Sequence, residues 1–85
     1  MFVVYLDSQP KKFLKDCEEQ LRNRLMEKLH TLETDPVPHD AKRVVGRKEK
    51  TFRVRVGKYR ILYCAFYDTN RVLVSTIDKR TRAYD

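Results

Sequence analysis

Eighty-five residues, 36% of them charged and with a net charge of +7, describe one small domain (residues 1–85) too short to enclose a deep active site. No apolar run is long enough to span a bilayer, and the short apolar start closed by Asp7 lacks the form of a signal peptide, so a cytoplasmic protein with no membrane partner is expected. Residues 1–40 carry six Lys/Arg against eight Asp/Glu and residues 41–85 carry thirteen against four, which points to nucleic acid or another polyanion as the partner of the second half.

Phe2 to Leu6 is apolar and β-rich, and reads as a strand buried on both faces. Asp7-Ser8-Gln9-Pro10 closes it and opens a helix, with Ser8 as the expected N-cap and Pro10 in the first turn. Lys11 to Cys17 then forms a short helix with Phe13, Leu14 and Cys17 on one side. A bend within Asp16-Cys17-Glu18-Glu19 or one continuous helix satisfies the pattern equally well. Leu21, Leu25, Leu29 and Leu32 recur at helical spacing with Met26 alongside, while Arg22, Asn23, Glu27 and Lys28 face away; this stripe is core packing.

Residues 34–40 hold two prolines and form a loop, and residues 41–45 are a short strand or an irregular connection ended at Gly46. After a charged turn at residues 47–50 come three strands, Thr51–Val56, Tyr59–Tyr67 and Arg71–Ile77, joined at Gly57-Lys58 and Asp68-Thr69-Asn70. Nearly every residue of the middle strand is apolar, the mark of a central strand. The expected architecture is α+β: an N-terminal strand, a two-helix hairpin, then an antiparallel sheet with both helices on one face. Cys17 and Cys64 are expected as core-facing free thiols.

Alternation along the strands sets Arg53 and Arg55 on the face opposite Phe52, Val54 and Val56. Arg60 shares a face with Leu62, Cys64 and Phe66, where a cation needs a partner or a purpose. An ion pair to Asp78 or Asp68, or a head reaching water at the strand end, would meet that need; so would a phosphate, whose oxygens match guanidinium forks. A merely solvated basic surface is the competing account of all these arginines, but arginines alternating within strands favour binding. Tyr84, among Lys79, Arg80 and Arg82, could stack on a base, act as an acid or base if nearby cations lower its phenol below about 10, or serve no purpose at the chain end. The chain carries no glycine-rich phosphate loop, no GxSxG, no HExxH and no Cys/His cluster. His30 reads as a helix-surface residue. With no metal or cofactor expected, nuclease chemistry would rely on attack by the RNA's own 2′-hydroxyl, with cations stabilising the phosphorane.

The run Arg53-Val54-Arg55-Val56-Gly57-Lys58-Tyr59-Arg60-Ile61-Leu62-Tyr63, followed by Lys79-Arg80 and Tyr84, resembles the RelE/ParE toxin superfamily, most closely its archaeal RelE branch. Pro36-Val37-Pro38 and the ending Arg80-Thr81-Arg82-Ala83-Tyr84 are similar to that branch too, and the likeness covers essentially the whole chain. The resemblance implies a RelE-like fold and the toxin of a type II toxin–antitoxin pair that cleaves mRNA in the ribosomal A site without a metal, leaving a 2′,3′-cyclic phosphate. Its implied partners are mRNA on the ribosome, with 16S ribosomal RNA contacts, and a RelB-like antitoxin that covers the arginines. Arg53 and Arg55 then match the basic strand residues at the scissile region, Arg60 the phosphate-binding arginine, Arg80 the residue that stabilises the transition state, and Tyr84 the aromatic that orients or activates the 2′-hydroxyl. Lys79, Arg82, Arg47 and Lys58 would bind RNA around them. Lys79 falls where many relatives have histidine. Arginines with unperturbed pKa above about 12 serve as clamps, not proton acceptors. Two other readings remain on the same residues: a ParE-type inhibitor of DNA gyrase, and an RNA- or ribosome-binding module without catalysis.

Overall fold

The computed structural model describes residues 1–47 and 49–79. In chain order it comprises β1 (Val3–Leu6), α1 (Ser8–Asp16), α2 (Glu19–Thr34), β2 (Lys42–Val44), β3 (Thr51–Val56), β4 (Tyr59–Phe66) and β5 (Arg71–Lys79). The strands form one sheet in the order β1-β5-β4-β3-β2, so the apolar β4 is central, as its composition requires. β2 to β5 pair antiparallel, as expected of the sheet that follows the helices, and β1, whose partner the sequence left open, runs parallel to β5.

β1 also differs from the expected strand buried on both faces. It is an edge strand, with Val3 53% and Tyr5 47% exposed while Val4 and Leu6 pack on the core. An apolar run on all four positions cannot reveal that only one of its two faces is covered. α1 begins one residue earlier than expected. Asp7 is its N-cap, accepting the Ser8 N–H on Oδ1 at 2.8 Å, and Ser8 is the first helical residue. A carboxylate there also faces the positive end of the helix dipole.

The helices are separate. Cys17 and Glu18 are extended, and Arg22 folds back to donate to the carbonyls of Leu14 (2.7 Å), Lys15 (3.2 Å) and Cys17 (2.8 Å). The last carbonyls of a helix lack intrahelical partners, and one guanidinium supplies three of these carbonyls with donors. Arg22 therefore does not face away, as helical periodicity suggested; it holds the corner between the helices.

Leu14 of α1 and Leu21, Leu25, Leu29 and Leu32 of α2 pack on Val54, Val56, Ile61, Tyr63, Val72, Val74 and Ile77 of the sheet. Both helices thus cover one face, and the other face carries no helix among the described residues. Gln9, in the first turn of α1, reaches β5 beyond the end of β1: its amide donates to the Ile77 carbonyl at 2.8 Å and accepts the Ile77 N–H at 2.9 Å. A side chain thereby completes the strand edge where β1 stops. Cys17 is half-buried and Cys64 buried, and both are free thiols. No helix of the described residues is long and apolar enough to cross a membrane.

Candidate nucleic-acid interface

The β3–β4 register decides which side chains meet. Val54 opposes Ile61 and Val56 opposes Tyr59 on the helix-covered face, so Arg53 (opposite Leu62) and Arg55 (opposite Arg60) stand on the open face. Across β4, Arg60 opposes Asp78 and Leu62 opposes Thr76; across β3, Arg53 opposes Lys42. Two rows cross the open face: Arg55, Arg60, Asp78, and Lys42, Arg53, Leu62, Thr76.

The first row exists because β5 slips by one residue. Tyr63 pairs with Val74 but Leu62 pairs with Thr76, which leaves Ser75 as the extra residue of a bulge, its hydroxyl donating to the Leu62 carbonyl at 3.3 Å. Before the slip the even-numbered Val72 and Val74 enter the core; after it the odd-numbered Ile77 does. Asp78 is thereby turned to the open face, beside Arg60. In an unbroken strand it would share the core side with Val72 and Val74.

Arg60 Nε donates to Asp78 Oδ1 at 2.7 Å and Nη2 to Oδ2 at 3.4 Å, with side chains 25% and 38% exposed. This is the ion pair that competed with a functional role for Arg60. It also orients the guanidinium, because a two-point contact fixes both its plane and its rotation.

Beside this pair lies a cleft of about 330 Å³ that brings together Arg43, Arg47, Arg53 and Arg60, with Val44, Val45 and Leu62 as its apolar lining. Leu62 is only 5% exposed although no helix of the described residues covers it. Long arginine stems shield apolar surface while their heads stay hydrated. Four guanidinium groups from β2, the turn after it, β3 and β4 repel one another, and an anion between them relieves that repulsion.

A depression of about 550 Å³ lies at the opposite end of the open face, among Tyr5, Phe66, Asp68, Thr69, Arg71 and Leu73. It is the larger, but its walls are chiefly aromatic and aliphatic, and Arg71 lies 5.6 Å from the Tyr5 ring centroid. Phosphate chemistry fits the smaller, arginine-lined cleft.

Of the residues expected at a site, Arg47, Arg53 and Arg60 share this cleft. Arg55 stands next to Arg60 in register but lines a second depression at the edge of β3, with Arg24, Lys28 and Gly57. Lys58 is exposed in the β3–β4 turn. Lys79 is set apart. The bulge places it opposite Tyr59 on the helix side, where it lines a groove with Phe13, Cys17, Glu18 and Arg24. Arg80, Arg82 and Tyr84 lie outside the described residues. Arg43 was missed, because residues 41–45 gave no firm strand pattern; the Lys42-Arg43 pair before a glycine was its available signal. His30 is on the exposed surface of α2, 3.3 Å from Glu33, and takes no part.

Residues 4–84 match the model of the family described as ParE toxin of type II toxin–antitoxin system, parDE. The chain is 34% identical over 86 residues to a Methanocaldococcus jannaschii protein designated toxin RelE1, covering 98% of this chain and 94% of that one. Among solved structures it is similar to the archaeal RelE–RelB complex from Pyrococcus horikoshii OT3, with a TM-score of 0.84, 26% identity, and 96% and 98% of the two chains covered. The intact E. coli RelBE toxin–antitoxin complex matches with a TM-score of 0.82 over 96% and 100% of the chains at 19% identity, a likeness of fold.

Proposed function

The chain belongs to the RelE/ParE toxin family of type II toxin–antitoxin systems, and from that premise we propose that it is an endoribonuclease acting on mRNA in the ribosomal A site. The observation that carries this reading is the cleft in which Arg43, Arg47, Arg53 and Arg60 converge, with Arg60 held in orientation by Asp78. Such a cleft suits a phosphodiester, whose charge grows as the 2′-oxygen attacks phosphorus.

In the proposed reaction the 2′-hydroxyl loses its proton, its oxygen bonds to phosphorus, and the bond to the 5′-oxygen breaks. The products are a 2′,3′-cyclic phosphate and a 5′-hydroxyl that has taken up a proton. Arg53, Arg55 and Arg60 act as electrostatic clamps on the non-bridging oxygens. Arg80 stabilises the leaving charge and Tyr84 orients or activates the 2′-hydroxyl. The cognate partner is an antitoxin like the RelB of the matched complexes, offering acidic and apolar side chains to this face.

Incubating the protein with programmed ribosomes and mapping mRNA ends by primer extension tests the reading: new ends within the A-site codon are expected, and intact codons at stoichiometric protein would refute it. The matched family's name, ParE, favours one second reading, inhibition of DNA gyrase. A supercoiling assay separates the two, since loss of gyrase activity together with intact ribosomal mRNA is what that reading alone predicts.

A further inference from the structure

At the β3–β4 turn, Gly57 has φ +59°, and a β-carbon added there would lie 2.8 Å from Arg24 Nη2 of α2. The guanidinium thus rests against bare backbone, a position open only while residue 57 has no side chain. Among the described residues no hydrogen bond or ion pair occupies the Arg24 head, although Glu27 is one helical turn away.

Two depressions meet at Arg24. One, of about 360 Å³, also holds Arg55, Lys28 and Glu27; the other, of about 370 Å³, holds Lys79 and Glu18. Lys28 is committed to Asp40 at 2.6 Å. β2 pairs only with Thr51, Phe52 and Arg53, so the rest of β3 forms the sheet edge and Arg24 can be approached past it. Arg55 opposes Arg60, which lines the four-arginine cleft. The cations therefore run from that cleft, across the Arg60–Arg55 pair, over the edge of β3 to Arg24, and on to Lys79, with Asp78, Glu27 and Glu18 beside them.

We infer that Arg24 is a second phosphate-contact residue, which holds the RNA backbone where it leaves the arginine cleft and passes round the β3–β4 hairpin to the helix side. This rests on the RNA-directed reading of the cleft. It also gives Lys79 a role that its separation from Arg53 otherwise denies it. Nucleic-acid backbone fits the path because its cations, Arg60, Arg55, Arg24 and Lys79, are strung along a curve instead of gathered at one point. A chain of phosphates spaces its charges regularly along such a path.

Fluorescence anisotropy of a labelled 12-nucleotide oligouridylate, titrated over a range of salt concentrations, tests this. Arg24→Gln, an exposed helical substitution that circular dichroism can verify as folded, is expected to weaken binding roughly fivefold and to lower the slope of log affinity against log salt by about 0.7, the share of one phosphate on a single strand. Gly57→Ala should weaken binding in the same direction by displacing Arg24, and Arg24→Lys should restore most of the slope. If Arg24→Gln binds like the native protein while Arg53→Gln loses affinity, the inference is overturned and the arginine cleft stands. If neither variant changes binding, both the inference and the RNA-directed reading fall.

Discussion

Asp78→Asn separates the orienting role of Asp78 from its role in stability. The substitution keeps the shape of the side chain and removes the charge that grips Arg60 at two points, 2.7 and 3.4 Å long. Exposed ion pairs contribute about 0.2–1 kcal/mol, and charge-assisted hydrogen bonds more when water is excluded. With side chains 25% and 38% exposed, the pair sits at the upper end of the exposed range, about 1 kcal/mol. For a domain of this size that lowers Tm by roughly 4–8 °C. RNA affinity should hold or rise, because one negative charge leaves a cleft built of cations. Single-turnover cleavage at saturating protein should fall about tenfold, equivalent to about 1.4 kcal/mol of lost alignment in the transition state. The readouts are thermal denaturation, oligonucleotide anisotropy, and primer extension on programmed ribosomes. Native single-turnover rates in Asp78→Asn would refute the view that Asp78 orients Arg60 for chemistry.

Three further substitutions probe the scaffold. Tyr63 is fully buried, its hydroxyl has no hydrogen-bond partner among the described residues, and burial pushes its phenol well above the ordinary value. Tyr63→Phe should therefore leave stability unchanged or raise it by up to about 1 kcal/mol, measured by chemical denaturation; a loss above that would reveal a hydrogen bond the fold depends on. The hydrogen bond from Lys28 holds the Asp40 carboxyl below its ordinary 3.8, against a smaller opposing push from burial. A carboxylate with a depressed folded value stabilises above its unfolded value and loses that contribution as pH falls through the folded one. The Tm gap between the native protein and Asp40→Asn should accordingly be constant from neutral pH to about 5 and close below about 4; a gap that widens on acidification would contradict the sign. Leu32→Ala, at a fully buried position of α2, should cost about 2–5 kcal/mol in denaturant unfolding, and a loss below 1 would mean that the helix packs more loosely than its burial indicates.

Local pattern made much of this molecule legible. The central strand followed from nine residues with almost no polar break, and α2 from four leucines at helical spacing, because a covered strand and an amphipathic helix each leave a period in the sequence. The arginine face followed from simple alternation on either side of a glycine turn. What escaped depended on long-range pairing. β1 looks buried because an apolar run carries no record of which neighbour it lacks. Arg22 has the sequence position of a solvent-facing residue, yet the unfilled carbonyls of the preceding helix draw it inward. The bulge at Ser75 left a faint trace, since the alternation Val72, Val74 resumes at Ile77 with the parity reversed. Missing that slip left Asp78 as one of two candidate partners for Arg60, and hid that Lys79 turns away from the open face.

The proposed chemistry depends on the 2′-hydroxyl as nucleophile, and one measurement addresses it directly. Programmed ribosomes are loaded with mRNA bearing a single 2′-deoxynucleotide on the 5′ side of the scissile phosphate, beside an all-ribose control. Attack by the 2′-oxygen predicts cleavage of the control, with a 2′,3′-cyclic phosphate at the new end, and none of the substituted message. Cleavage of the 2′-deoxy message at the same phosphate would contradict the mechanism assigned to this arginine cleft.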